Sequence, residues 1–236
     1  MSAARITYSI VKTQHNLDDL DEFIEWVDRL DGGGISKEDF LSDHPIVTLS
    51  RSVDARESPS TALWVAKSIS KGITIEEILS NPIVDKFVLK KSQESKTIDD
   101  IINSTLRIEN RLAIVRFDGT GTRTGGYRIT ASVGDACDAC IIIHGDERGS
   151  VSGKIPPLGA SFYTNSFYHK NGGLVDLTLL ATAFDPDGGG HSNACGCRIK
   201  PIDKFGNIED RNPKLPDIEE NLTQWIKIWN LNHPDY

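Results

Sequence analysis

Cysteine is scarce in this sequence: four residues of 236, at Cys137, Cys140, Cys195 and Cys197. A chain this long with so few thiols has no disulfide framework. The spacing is C-x2-C, then C-x-C. Four thiolates could hold zinc if the two pairs met in space; otherwise all four are small apolar core residues. Long apolar runs are missing as well. None approaches the roughly 20 residues that span a bilayer, so no membrane partner is expected. The opening residues, Met-Ser-Ala-Ala-Arg-Ile, hold no basic stretch followed by an apolar one, which reads as a cytoplasmic protein without a secretory leader. Internal repeats and low-complexity tracts are absent. Positive charge is in deficit, with a formal net charge of −8. That excludes a broad electrostatic grip on long nucleic acid. A small phosphorylated ligand in a local pocket stays compatible with it.

What is present is an ordinary globular composition, 25% charged and 38% hydrophobic, long enough for one large domain or two small ones. The stretch that organises the chain is Asp185-Pro-Asp-Gly-Gly-Gly-His-Ser-Asn-Ala-Cys-Gly-Cys-Arg198. Gly188, Gly189 and Gly190 let backbone approach a ligand with no Cβ in the way, and their N–H groups can form a concave nest for an anion. His191 can donate to the same anion, and Asn193 adds an amide. The same residues also suit a plain flexible turn. Leu174 to Phe184 is apolar at helical spacing, and Ala194 to Ile199 reads as a short buried strand.

Residues 2–12 fit either a strand or a helix. Leu17, Leu20, Phe23, Ile24, Val27 and Leu30 then fall on one helical face, and Asp31-Gly-Gly-Gly34 ends that helix. Asp28 and Asp31, at i and i+3, can point the same way. Such a carboxylate pair can serve a divalent metal or simply belong to an acidic solvated face. Asp43-His44-Pro45 reads as a turn. Residues 60–110 read as helices, with a capping box at Thr74 and Glu77 and an exposed hinge over Lys90–Lys96. From Arg111 the pattern turns to strands: Leu112–Phe117, Gly126–Ala131, Ala139–His144 and Ser150–Lys154. Ile218 to Trp229 is an amphipathic helix with Leu222, Trp225, Ile226 and Trp229 on one face. The fold class is α/β: a helical first part and connector, then an α+β half with a mixed sheet. The segments expected are 1–58, 59–110 as a helical connector, 111–204, and 205–236 carrying the C-terminal helix.

Leu174–Ile199, with Gly-Gly-Gly-His followed by Asn-Ala-Cys-Gly, resembles the C-terminal DHH-associated domain of the DHH phosphoesterases, and the likeness spans roughly residues 110–200. It implies a manganese-dependent hydrolase of phosphodiester or phosphoanhydride bonds. Substrates in that family include short oligonucleotides, cyclic-dinucleotide products, single-stranded DNA and polyphosphate. Gly188, Gly189, Gly190 and His191 would grip substrate phosphate, with Asn193 beside them. Upstream, Ser2-Ala-Ala-Arg-Ile-Thr-Tyr8 resembles the helix after the family's Asp-His-His motif. Trp26-Val-Asp-Arg-Leu-Asp31 resembles the segment of the last metal-ligand aspartate, so the likeness gives Asp28 or Asp31 a catalytic, metal-binding role. Segment 1–58 would then be a remnant of the DHH catalytic domain.

The earlier family motifs, an Asp, an Asp-x-Asp and the Asp-His-His itself, have no counterpart here. Two-metal hydrolysis needs ions about 3.5–4 Å apart, which one or two aspartates cannot hold. Three readings follow: a chain shortened at its N-terminus, one completed by a partner or by a homodimer, or a non-catalytic nucleotide- or phosphate-binding module. An interaction protein using the tryptophan-rich C-terminal helix is a further alternative. Arg148, Ser152 and Lys154 would add phosphate contacts if they match the family's Ser/Arg pair on an inner strand, and otherwise are surface charges. Phe162, Tyr163, Phe167, Tyr168 and His169 could stack a base or pack internally.

Overall fold

The computed structural model describes residues 2–55 and 57–234. The chain divides into two compact units, Met1–Thr97 and Ile98–Tyr236, with the division inside the segment 59–110 read as a connector. Positions 1, 56, 235 and 236 of the expected segments lie outside the described residues.

The first unit is helical. Helix α1 (Ala3–Val11) resolves the ambiguity of residues 2–12: the Ser2 hydroxyl accepts from the Arg5 N–H and caps it. The acidic stripe becomes a single 3₁₀ turn, Asp18–Leu20, followed by α2 (Asp21–Asp31). Beyond α2, Gly33 takes φ +73°, a left-handed angle that glycine adopts without strain. Short helices α3 (Lys37–Leu41), α4 (Pro45–Ser52), α5 (Pro59–Ile69) and α6 (Ile75–Leu79) follow. His44 is thus the residue that leads into α4, with Pro45 in its first turn. Thr74 and Glu77 form the expected capping box on α6. Leu49, Val65, Ile78 and Val84 make the core.

Helix α7 (Pro82–Thr105) runs straight through Lys90–Lys96, where the charge run had suggested a hinge. Glu94 lies 2.9 Å from Lys91 and 3.5 Å from Lys90, and Glu57 sits 3.1 Å from both lysines. Charges spaced three and four apart support a helix, so this run is a solvated helical face.

The second unit is built on a six-stranded mixed sheet of β1 (Arg107–Glu109), β2 (Leu112–Arg116), β3 (Ala139–His144), β4 (Gly159–Thr164), β5 (Gly189–His191) and β6 (Ala194–Arg198). Their order across the sheet is β1-β2-β3-β4-β6-β5, with only β2 and β3 parallel. Strands β2 and β3 are buried on both faces, which explains their continuous apolar runs. One face packs Ile141, Ile143 and Phe162 under Leu222, Trp225 and Trp229 of helix α10 (Leu215–Asn232). The other packs Val115, Phe117, Cys140 and Ile142 under Ile102 of α7 and Ile129 of α8 (Gly126–Val133). Short α9 (Thr178–Ala181) adds Leu180 and Ala181 to the first core.

Two expected strands are absent. Gly126–Ala131 alternates in sequence, yet Gly126, Ile129 and Thr130 are buried at helical spacing, and the segment is α8. A Cβ on Gly126 would lie 2.2 Å from Cγ of Tyr163, so the helix start sits directly on that ring. Ser150–Lys154 is a turn closed by the Gly153 N–H donating to the Ser150 carbonyl at 3.1 Å; the strand that follows β3 is β4. The thiols fall on opposite faces of the sheet, Cys137 and Cys140 in one core and Cys195 and Cys197 against the other. They form no four-thiolate site. Among the described residues no helix is long and apolar enough to cross a membrane.

Asp138 ties this unit together. It is 2% exposed, and its carboxylate accepts from Arg111 Nε at 2.6 Å and Nη2 at 2.9 Å, and pairs with His169 at 2.8 Å and His233 at 2.9 Å. His233 follows α10 and stacks on Trp229, so one carboxylate joins the β1–β2 turn, the segment after β4 and the end of α10. Burial raises its pKa, but the bonds from Arg111, His169 and His233 outweigh that and hold it at about 2, below its ordinary 3.8. A depressed carboxylate contributes stability above its unfolded pKa and loses it as pH falls through the folded one. We expect Asp138→Asn to cost about 3 kcal/mol at neutral pH, because it strands buried partners. It should also flatten the stability loss between pH 4 and pH 2. Denaturant titrations across that range check both, and an unchanged acid limb would contradict the assignment.

Candidate functional site

The Asp185–Arg198 stretch folds as a turn and a hairpin. Asp185, 2% exposed, accepts from the Arg198 N–H at 2.8 Å and pairs with Lys200 at 3.2 Å, which fixes the turn against β6. Burial pushes its pKa up, and these two partners more than reverse that. The Gly188 N–H is spent on the Asp185 carbonyl at 2.9 Å, and a Cβ there would lie 2.1 Å from the Ala181 carbonyl oxygen. No other residue fits at 188. Gly189 and Gly190 have φ of +152° and +140°, and a Cβ on Gly190 would come within 2.8 Å of the Ala194 carbonyl oxygen. The triplet is therefore built for backbone geometry, with Gly189 facing open space.

β5 is an edge strand, so its outer side presents backbone N–H and C=O groups to solvent. His191 is exposed at its end. The Oδ1 of Asn193 accepts from the Gly173 N–H at 2.8 Å and from the Thr164 hydroxyl at 3.3 Å, tying the hairpin tip to neighbouring loops. The apolar stretch before the turn is mostly not helical: the Leu177 N–H donates to the Ser192 carbonyl at 2.9 Å, and only Thr178–Ala181 closes a helix.

Strand register sets what shares a face with His191. His191 pairs with Ala194, which pairs with Tyr163; Gly189 pairs with Gly196, which pairs with Ser161. Ser161 in turn pairs with Ile142, and His144 lies two residues along β3. Directly paired residues point to the same side of a sheet. His191, Tyr163, Ser161 and His144 therefore share one face. Helix α8 covers part of it; Ala194, Arg198 and His191 are exposed. His144 Nε2 and Ser161 Oγ share a hydrogen bond of 3.0 Å. The His144 ring lies over Gly159, where a Cβ would come 2.9 Å from Cε1. Its Nδ1 is buried with no hydrogen-bond partner among the described residues. Phe117, Arg123, Thr124, Ile142 and Tyr163 complete a cavity of about 150 Å³ around the pair. His144, Ser161 and Arg123 were not singled out from sequence. The signal available was the alternation of Gly159–Thr164, which the strand placed at Ser150–Lys154 obscured.

The expected metal aspartates lie in the first unit, on α2. The Asp28 carboxylate accepts the Ser2 N–H and lies 3.6 Å from Arg5 Nε. The Ser2 N–H lowers its pKa most, with Arg5 adding to it. It acts as an anchor for the start of α1. Asp31 is exposed. Among the described residues no three His, Cys, Asp or Glu side chains converge to hold a metal. Asp28 and Asp31 therefore do not fit a two-metal centre. Of the other residues singled out, Phe162 is core and meets Trp225 edge-on at 5.1 Å, His169 is bound to Asp138, and Phe167 meets Tyr127.

No family model matches this sequence, and no curated protein does. Solved structures do. The chain shares its fold with a protein of known structure. The pGpG-specific phosphodiesterase PggH from Vibrio cholerae superposes with a TM-score of 0.72 over 98% of this chain and 74% of PggH, at 19% identity. An uncharacterized protein from Helicobacter pylori G27 superposes at only 0.32, over 78% of this chain and 44% of that one at 15% identity, and carries no argument.

Burial first, and then the charge of Arg123, hold the His144 pKa below its ordinary 6.5. Arg123→Gln should raise it, read from the pH dependence of the His144 ring signals by NMR. An unchanged or lower value would contradict the placement of Arg123 beside His144 in that cavity.

Proposed function

We propose that this chain is a DHH-phosphoesterase-like protein that grips the phosphodiester of a short oligonucleotide, or a similar phosphorylated small molecule, on the open face of its sheet. The observation that carries the reading is the hairpin at Gly188–His191, whose glycines exclude side chains while His191 stands exposed beside them. A backbone N–H on the unpaired outer edge of β5, the His191 ring and the free end of the Asn193 amide would donate to non-bridging phosphate oxygens. The likeness in fold to a phosphodiesterase supports the same substrate class.

Hydrolysis would break one P–O bond, with water giving its hydroxyl to phosphorus and its proton to the leaving oxygen. Manganese is the ion that the family resemblance implies for that step, and Asp28 and Asp31 do not provide its site. On this reading cleavage requires ligands supplied by a second copy in a homodimer or by another protein. One observation favours the alternative of binding without cleavage: the Asp28 carboxylate is committed to Ser2 and Arg5.

The test is binding and cleavage of a two-nucleotide RNA, with and without manganese. Charge-assisted hydrogen bonds contribute about 1.5–3 kcal/mol, so His191→Ala should weaken binding roughly 10- to 100-fold. Wild-type protein that does not bind the dinucleotide, or a variant that binds as well, would sink the reading.

A further inference from the structure

After β6 the chain turns back on itself, with Ile202 and Ile208 bridged, and holds a phenylalanine out in water: Phe205, at the tip, is 76% exposed. The tip is tightly bonded. The Asp203 carboxylate accepts from the Phe205 N–H at 2.8 Å and from the Asn207 N–H and side-chain amide at 2.9 Å. The Gly206 N–H donates to the Asp203 carbonyl at 2.9 Å. Gly206, at φ +87°, lies against the Phe184 ring, where a Cβ would come within 3.2 Å. Gln224 of α10 donates to the Lys204 carbonyl at 2.9 Å, which ties the tip to that helix. Lys204 sets its ammonium 5.0 Å from the centre of the Phe205 ring and makes no ion pair among the described residues. A single exposed apolar side chain is ordinary. An aromatic ring fixed on a bonded turn, with a cation beside it, is a preorganised anchor.

The first unit holds a complement to that tip. A cavity of about 410 Å³ lies between the start of α2, the start of α4 and the turn from α5 to α6. Phe23, Ile46, Ile69, Ile73 and Ile75 give it apolar walls. Asp19, Glu22 and Glu76 line it too, and all three are exposed. Glu22 lies 3.8 Å from His44; Asp19 and Glu76 make no ion pair among the described residues. Apolar walls under an excess of carboxylate suit an apolar group that carries a cation, and they repel a phosphorylated ligand.

We propose that the Lys204–Phe205 tip of one chain docks in this pocket of a second copy, with the ring between the isoleucines and the ammonium against the carboxylates. Docking removes the exposed ring from water and gives Lys204 partners of opposite sign. The contact is heterologous, since one patch meets a different patch. Every chain carries both patches, so each copy can give a tip and take one. The contact is small, and the association is therefore weak and concentration-dependent. Neither patch uses a residue of the Gly188–His191 hairpin, so the proposal stands apart from the ligand reading.

The experiment is sedimentation of the full chain from micromolar to near-millimolar concentration. Wild type should pass from single chains to larger species as concentration rises. Phe205→Ser removes the ring from an exposed turn, and Ile73→Asp spoils a wall of the pocket; each should weaken self-association about tenfold or more. Mixing the two variants is the sharper test. Phe205→Ser keeps an intact pocket and Ile73→Asp keeps an intact tip, so together they should form a complex of two chains and no larger. Lys204→Glu should weaken association in the same way, and adding Glu22→Lys to it should restore part of what was lost. That charge exchange leaves the pocket walls untouched, so it holds even where Ile73→Asp disturbs the first unit. A wild-type chain that stays single at every concentration would overturn the docking. So would association that survives Phe205→Ser, or a mixture of the two variants that stays unassociated while both keep native amide spectra.

Discussion

Strand β4 is paired on both edges, and that double pairing decides which side chains face the site. Its hydrogen bonds to β3 and β6 fix a register in which Ser161 and Tyr163 face one way and Phe162 the other. A slip of one residue would exchange them. Phe162 would lose its place against Trp225, and the polar residues would enter the core. The packing of α10 on one face thus holds the functional candidates on the other. Asp138 supports the same arrangement from the end of the sheet, where Arg111, His169 and His233 converge on it.

Much of the architecture was legible because it is carried by periodicity. The α10 stripe of Leu222, Trp225 and Trp229 and the apolar runs of β2 and β3 speak for themselves. The failures share a physical cause: the deciding partner is remote in sequence. Gly126–Ala131 alternates locally but folds as a helix against Tyr163. Lys90–Lys96 resembles a linker until Glu57 is placed beside it. Asp28 resembles a metal ligand in its local segment, and its partners are Ser2 and Arg5.

The site was legible to a similar degree. Gly188–His191 stands out because three glycines before a histidine need a backbone reason, and the reason is the close approach to Ala181 and Ala194. Arg123, Ser161 and His144 do not stand out, since they come from three segments that only the sheet assembles. Asn193 carries a structural duty as well, at Gly173 and Thr164.

The central claim is that one sheet face of the second unit is the ligand surface. Mapping backbone amide shifts on titration with a two-nucleotide RNA tests it most directly. The account predicts perturbations on β4, β5 and β6 and in the Gly188–Asn193 hairpin, with the α10 side silent. Shifts centred on α10, or confined to the first unit around α2, would contradict it.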